Sequence, residues 1–419
     1  MMKKTLIALA ALAATSVFAQ SSVSIVGFVD TGYKNTTGNT TNFINTGTNP
    51  KKSELAINGT GTTAIHFRGV EDLGGGMKAL FQAEIDWNPV QSSTLNGSAT
   101  APTPSQYYSG TPFNGEQFLG LSGGFGSVKL GTPNSAALET NAVAQPFGTA
   151  LGGGYSNTVA RLGTSGNYGI NQFVGGSTSA NRVIRHEKTA RYDTPEFSGF
   201  KASVEYAFGN SNVAPVAPAV ASASDSNKYQ AIGLKYNNGP LNVMFSNTKA
   251  SNNGAYSAAG SVAAVGTIAL NNLLPGETIT HNFLAANYTF GPATVYAGYT
   301  TSKNNATSVL VPTSAATSAA FTGGAKENAV SYNIAGKYVI SSTISLMANY
   351  IRVNDKTPLN ADANIFGLGA DYRLSARTAL YARYEGYKKS ATSAVAGNQN
   401  SGFGSVNQNV YMLGVNHSF

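Results

Sequence analysis

The chain has 419 residues, 42% hydrophobic but only 11% charged, with 47 glycines, 21 tyrosines, 20 phenylalanines, one tryptophan and no cysteine. Soluble domains usually carry about a quarter charged residues, and no stretch beyond the N-terminus approaches the roughly 20 apolar residues of a spanning helix, which excludes an α-helical membrane protein. Disulfides, thiolate metal sites and thiol nucleophiles go with the missing cysteine; four scattered histidines (His66, His186, His281, His417) argue against a metal cluster, and a net charge of +8 spread without basic runs argues against nucleic acid.

The first element is an address. Lys3 and Lys4 precede an apolar run from Thr5 to Ala14, and Val17-Phe18-Ala19 has the small residues of a cleavage site. Residues 1–19 are expected to be a signal peptide, too short to span a membrane, and residues 20–419 one domain. Removal of the two lysines takes the charge from +8 to +6. Export without cysteine suits a bacterial envelope protein that passes an oxidising compartment.

From Ser22 onward apolar residues recur at every second position, as in Val23, Ile25, Gly27 and Val29, or Ala79, Phe81, Ala83, Ile85 and Trp87. Polar and often charged residues fill the alternate positions, the period of a strand with two unlike faces. Sixteen strands are predicted at 22–33, 54–70, 76–89, 115–123, 125–132, 183–195, 198–208, 228–237, 240–249, 279–290, 292–301, 327–340, 342–353, 362–374, 377–388 and 405–419. Short links such as Gly123-Gly124 and Gly291 alternate strictly with long ones rich in Ser, Thr, Asn and Ala. One-sided loops of this kind mark a transmembrane antiparallel β-barrel, with an even strand number and both ends on the periplasmic side. Tyr206, Tyr236, Tyr288, Tyr338, Tyr350, Tyr372, Tyr384 and Tyr411 lie near strand ends, where aromatic belts belong. The outward face should be apolar and the inward face polar.

The last strand places Tyr411, Leu413, Val415, His417 and Phe419 on one face and ends in an aromatic residue, like the terminal signal read by the barrel-assembly machinery. The segments 21–30 (SSVSIVGFVD), 67–79 (FRGVEDLGGGMKA), 119–126 (LGLSGGFG), 191–200 (RYDTPEFSGF) and 372–381 (YRLSARTALY) resemble the trimeric general porins of Gram-negative bacteria, particularly their betaproteobacterial branch. The resemblance covers nearly the whole exported chain. It implies an all-β fold of sixteen strands, a homotrimer in the lipid of the outer membrane, a long third loop folded into the lumen, and passive diffusion of small hydrophilic solutes and ions. No enzyme activity, cofactor or nucleic-acid partner is implied.

The third loop is the longest connection, Thr132 to Arg182, and would set the size limit of a barrel otherwise wide enough for water. Pore-lining and constriction candidates are His66, Arg68, Lys78, Glu84, Lys129, Glu139, Arg185 and Arg191. Inward charges of both signs are nearly balanced along the strands, with Asp30, Glu187, Glu205, Asp371 and Glu385 opposing Lys201, Arg373 and Arg383 as well. The loop offers only Glu139 as an acid, so a mild anion preference is expected. Ala64 and Thr132 stand where the family often has constriction arginines. The alternative is a substrate-specific channel on the same barrel for an organic anion, a sugar or phosphate. Gly120-Leu121-Ser122-Gly123-Gly124 fits the nucleophile-elbow pattern of hydrolases, but no helix period follows it.

Overall fold

The computed structural model describes residues 21–40, 51–90, 113, 115–153, 181–182, 185–186, 188–208, 227–252, 278–305, 328–356, 362–389 and 406–419. Residues 1–20, which include the expected leader 1–19, lie outside them. In chain order the first strands are β1 (Ser22–Thr40), β2 (Lys52–Ala56), β3 (Ala64–Gly74), β4 (Met77–Asp86), β5 (Gln117–Gly123) and β6 (Gly126–Thr132). A helix, α1 (Ala136–Ala144), and three short strands follow, β7 (Asn181–Arg182), β8 (Arg185–His186) and β9 (Thr189–Asp193). Then come β10 (Phe200–Ala207), β11 (Asn227–Asn238), β12 (Leu241–Asn252), β13 (Thr278–Phe290), β14 (Ala293–Asn304), β15 (Asn328–Val339), β16 (Ile344–Asp355), β17 (Ala363–Arg373), β18 (Thr378–Lys389) and β19 (Val406–Ser418).

Seventeen of these strands form one antiparallel sheet closed on itself by the pairing of β1 with β19. They make sixteen staves, because β2 and β3 pair with successive lengths of β1. The β7–β8 hairpin stands apart as a second sheet. Closure leaves no sheet edge, which is the condition for β structure in hydrocarbon. Reciprocal hydrogen bonds of 3.0 Å between Gly27 and Phe419 extend the seam one residue past β19.

The outward face follows the predicted alternation. Phe245, Leu284, Tyr299 and Tyr332 stand side by side on β12 to β15. With Tyr350, Tyr384, Tyr411 and Tyr33 they form the loop-side aromatic girdle. Tyr236, Tyr288, Tyr338 and Tyr372 form the other, toward the short turns. One rung beyond the loop-side girdle, Asn247 donates to Asn282 (2.7 Å) and Asn282 to Thr301 (3.0 Å), so the apolar band ends in a row of paired amides. The turns are tight: at Gly291, before Pro292, φ is +56°, a conformation that disfavours any residue with a Cβ.

The structure departs from the sequence reading in four places. The strand predicted at 54–70 is interrupted between Ala56 and Ala64, because Asn58 turns through φ +67° and the buried Asp30 of β1 accepts hydrogen bonds from the backbone and hydroxyl of Thr60. The strand predicted at 183–195 begins only at Thr189, after a left-handed turn at Lys188 (φ +56°). A helix stands in the third loop, where none was predicted. The inward face is not uniformly polar either: Met244, Phe283, Ile351, Val353, Ile365 and Tyr387 point inward and cluster with Ala136, Val143 and Ala144 of α1.

At the seam, a Cβ on Gly32 would fall on the carbonyl oxygen of Leu413 on the closing strand. Gly32→Val is expected to destabilise the barrel by on the order of 1–3 kcal/mol through overpacking. The loss would be read as a lower midpoint for conversion of the compact to the extended band on gels of unboiled protein.

Candidate functional site

The segment from Pro133 to Gly153 leaves β6 and runs along the inward side chains of the wall. Ser135 caps α1, its side-chain oxygen accepting from the Leu138 amide at 3.3 Å, and the helix-forming residues Ala136 to Glu139 follow. The Glu205 carboxylate of β10 accepts from the Ala136 amide at 2.7 Å, so a charge from the wall meets the helix N-terminus. Thr140 reaches Ser246 of β12 (3.1 Å), and Asn287 of β13 and Asn333 of β15 donate to the carbonyls of Val143 (3.0 Å) and Ala144 (2.7 Å). Farther on, the Gly152 amide donates to Glu385 of β18 at 2.8 Å and the Leu151 amide to the Asn58 carbonyl at 3.4 Å. Glycines in the wall admit this approach: a Cβ on Gly233 would lie 2.7 Å from the Ala136 Cβ, and one on Gly367 would fall on the Gly152 carbonyl.

Arg191 of β9 is the hub of the near end. Only 2% exposed, its guanidinium donates to Glu139 (2.6 Å), Asp193 (2.7 Å), Glu205 (3.3 Å) and the carbonyl of Asn134 (2.6 Å). Three carboxylates and one carbonyl use its donors, and Glu205 also accepts from the buried Tyr229 hydroxyl at 3.0 Å. Charges sunk this deep need such pairing. Arg191 thus ties the loop to the wall, although its strand parity is that of a pore-lining charge.

A second group crosses the wall at the height where the segment leaves β6. Arg68 of β3 donates through Nε to Gln82 of β4 (3.1 Å), and Gln82 donates to Glu116 (2.8 Å). Glu116 accepts from the Asn134 amide (2.9 Å), and Arg185 of β8 donates through Nε to the Asn134 side chain (3.0 Å). Glu84, 6% exposed, accepts from the Glu116 amide (2.7 Å) and lies 3.7 Å from His66. His66, Arg68, Glu84 and Arg185 thus come together. Lys78 stands apart near the turn end. Lys129 sits over the Phe118 ring at 5.0 Å and 4.0 Å from Asp193, while Glu139 joins Arg191. Glu187 lies outside the described side chains.

Gln82, Glu116 and Asn134 were not among the sequence candidates. The parity that turns Phe118 inward does the same for Glu116, and Gln82 shares the polar face of Lys78 and Glu84, so that signal was present; Asn134, beyond the predicted strand, offered none. Asp30, which accepts a hydrogen bond from Tyr381 across the lumen face beside the seam, was read only as a generic inward charge.

A closed antiparallel barrel girdled by aromatics, with an interior wall of charged and amide side chains, defines an outer-membrane barrel of the channel-forming class. Comparison with known proteins agrees. The family model described as Gram-negative porin matches residues 5–392, and the chain belongs to that family. It is 29% identical to an outer membrane porin protein of Bordetella pertussis, over 93% of this chain and 94% of that one. It is 31% identical to outer membrane porin protein 32 of Delftia acidovorans, over 58% of each. Among solved structures, an anion-selective porin from Comamonas acidovorans superposes with a TM-score of 0.65 at 22% identity, over 96% of this chain and all of that one. The chain is an outer-membrane porin.

Replacing Arg191 strands three carboxylates against the wall. Arg191→Met is expected to cost about 3–5 kcal/mol locally, the scale for breaking a buried ion pair. Single-channel recordings should show current flicker absent from the parent, as the 133–153 segment loosens, while the gel shift of the folded barrel persists.

Proposed function

We propose that the protein is a general diffusion channel for small hydrophilic solutes and ions, mildly anion-preferring, whose bore is narrowed by the chain between β6 and β9. The observation that carries the anion preference is an asymmetry of burial, not of number. Five inward carboxylates are sunk in the wall, Asp30 and Glu385 at 0% exposed, Asp193 and Glu205 at 2% and Glu84 at 6%, against two inward cations, Arg191 at 2% and Arg383 at 6%; Asp371 is half-buried beside Arg383. Arg68, Lys78, Lys201 and Arg373 are exposed, and Lys235 and Lys337 partly so. Lys201 and Lys235 stand directly opposite each other on β10 and β11, a like-charge pairing that costs stability and supports a role in the field of the lumen. Water in the bore therefore meets mainly cationic groups, and a focused field of that sign raises the local concentration of anions. The anion-selective porin of similar fold supports the same reading. The substrate-specific alternative would require a site for one solute, and the spread of exposed charge favours the general channel.

A homotrimer is proposed from the outward face. The strands β3 to β6 carry no tyrosine, and β5 and β6 have 7 residues each, short of the roughly 9–11 that cross a bilayer. Their outward side chains include Leu119 and Leu121, 66% and 51% exposed in the single chain. An apolar arc without tyrosine girdles, in which the phenylalanine Phe81 stands beside Leu119, is suited to copies of the same chain. The functional chain is proposed to begin at Gln20, after removal of residues 1–19.

In planar bilayers under a KCl gradient, purified protein should give ohmic steps in groups of three with a chloride-favouring reversal potential. Arg68→Gln should move that potential toward zero, whereas Glu385→Gln should leave its sign and size nearly unchanged; a cation-favouring parent potential would sink the burial argument. Gly367→Leu, which forces the 147–153 segment off the wall toward the bore, should lower the step conductance. An unchanged conductance would show that this segment does not limit flow.

A further inference from the structure

The row from Arg68 to Arg185 has a chemical direction. A guanidinium can only donate and a carboxylate can only accept. With Arg68 at one end and Glu116 in the middle, Gln82 has one orientation that satisfies both, its oxygen toward Arg68 Nε (3.1 Å) and its nitrogen toward Glu116 Oε2 (2.8 Å). On the other side, Glu116 Oε1 accepts from the Asn134 amide (2.9 Å), and the Asn134 side-chain oxygen accepts from Arg185 Nε (3.0 Å). Each arginine is thus gripped at Nε by an amide oxygen, and one carboxylate joins the Gln82 side chain to the Asn134 backbone. Both oxygens of that carboxylate are directed at N–H groups of the wall and the loop.

We propose that Gln82, Glu116 and Asn134 are positioning residues for anion preference: they lock the guanidinium planes of Arg68 and Arg185 and turn the Glu116 carboxylate that links them away from the bore. This rests on the channel reading above and adds the groups that set its selectivity. Gripped at Nε, Arg68 presents its two Nη atoms as a fixed fork, a geometry matched to chloride and, better, to carboxylate or phosphate oxygens. An ungripped arginine of equal charge would spread that charge over many rotamers. Glu116, a lumen acid by simple count, thereby serves anion passage. Gln82 and Asn134 carry no charge, so composition assigns them no part in selectivity.

The test is a double-mutant comparison of reversal potentials in full-length purified channels under a KCl gradient. Gln82→Leu exchanges one neutral side chain for another of similar size, so a change in selectivity must act through position. The chloride-to-potassium permeability ratio is expected to fall roughly twofold, toward that of Arg68→Gln, while step conductance and the folded gel band persist. Arg68→Gln combined with Gln82→Leu should fall no further than Arg68→Gln alone. A parental ratio retained in Gln82→Leu, an additive fall in the double variant, or no effect of Arg68→Gln would each overturn the proposal. Gln82→Met serves in the same comparison should Gln82→Leu not fold. Failure of the parent to conduct or to favour chloride would instead strike the channel reading, and the parent recording alone reveals it.

Discussion

Hydrocarbon offers no partner to a peptide group, so each backbone N–H and C=O that crosses it must be bonded within the chain. Sixteen staves closed at the β1–β19 pairing meet that requirement, and most other features follow from it. The wall must be continuous, so function is confined to the faces of strands and to what the loops carry. Outward positions must be apolar and are spent on lipid and girdles. Inward positions are free of that demand, and the chain distributes its charge there.

A barrel this wide cannot be filled by its own inward side chains. The 133–153 segment lies against the inward side chains of the wall through three kinds of complementarity. Glycines and alanines bring backbone onto backbone. Asparagines from the wall satisfy carbonyls at the end of α1, where a helix leaves acceptors without partners. Arg191 and Glu205 neutralise each other where the segment begins. The inward apolar residues of β12 to β18 belong to this packing, since they line the side of the wall that the segment covers. Wetted charge is left chiefly to β3 through β6, to β8 and to the turn-side ends of β10, β11, β15 and β17.

Strand identity and number were legible because a period of two over ten residues is a strong signal in any register, and a slip of one residue would invert every face. The break at 57–63 was not legible, since it depends on Asp30, 30 positions away in sequence and paired through space with Thr60. The helix was marked locally by Ser135 followed by Ala-Ala-Leu-Glu, but a stretch of small polar residues on either side masks it. Within the site, parity told which charges point inward and could not tell how deep they lie. Arg68 and Arg191 read alike in sequence. One is exposed to the bore and the other is 2% exposed among three carboxylates, and that difference arises from loop residues more than 50 positions away from Arg191 that close over the Asp193 and Glu205 of its own strand and the next.

The Asp30–Tyr381 hydrogen bond joins residues 351 apart in sequence, and the seam pairs next to it are farther still. Loop closure over such a span is entropically costly and slow. Until β19 is available, β1 has an edge with nothing to complete it, and an exposed edge strand recruits whatever strand it meets. The chain must therefore be kept apart from other copies of itself throughout export and be zipped only at the membrane. For this protein the order of events in biogenesis is written into the distance between the two strands that finish the wall.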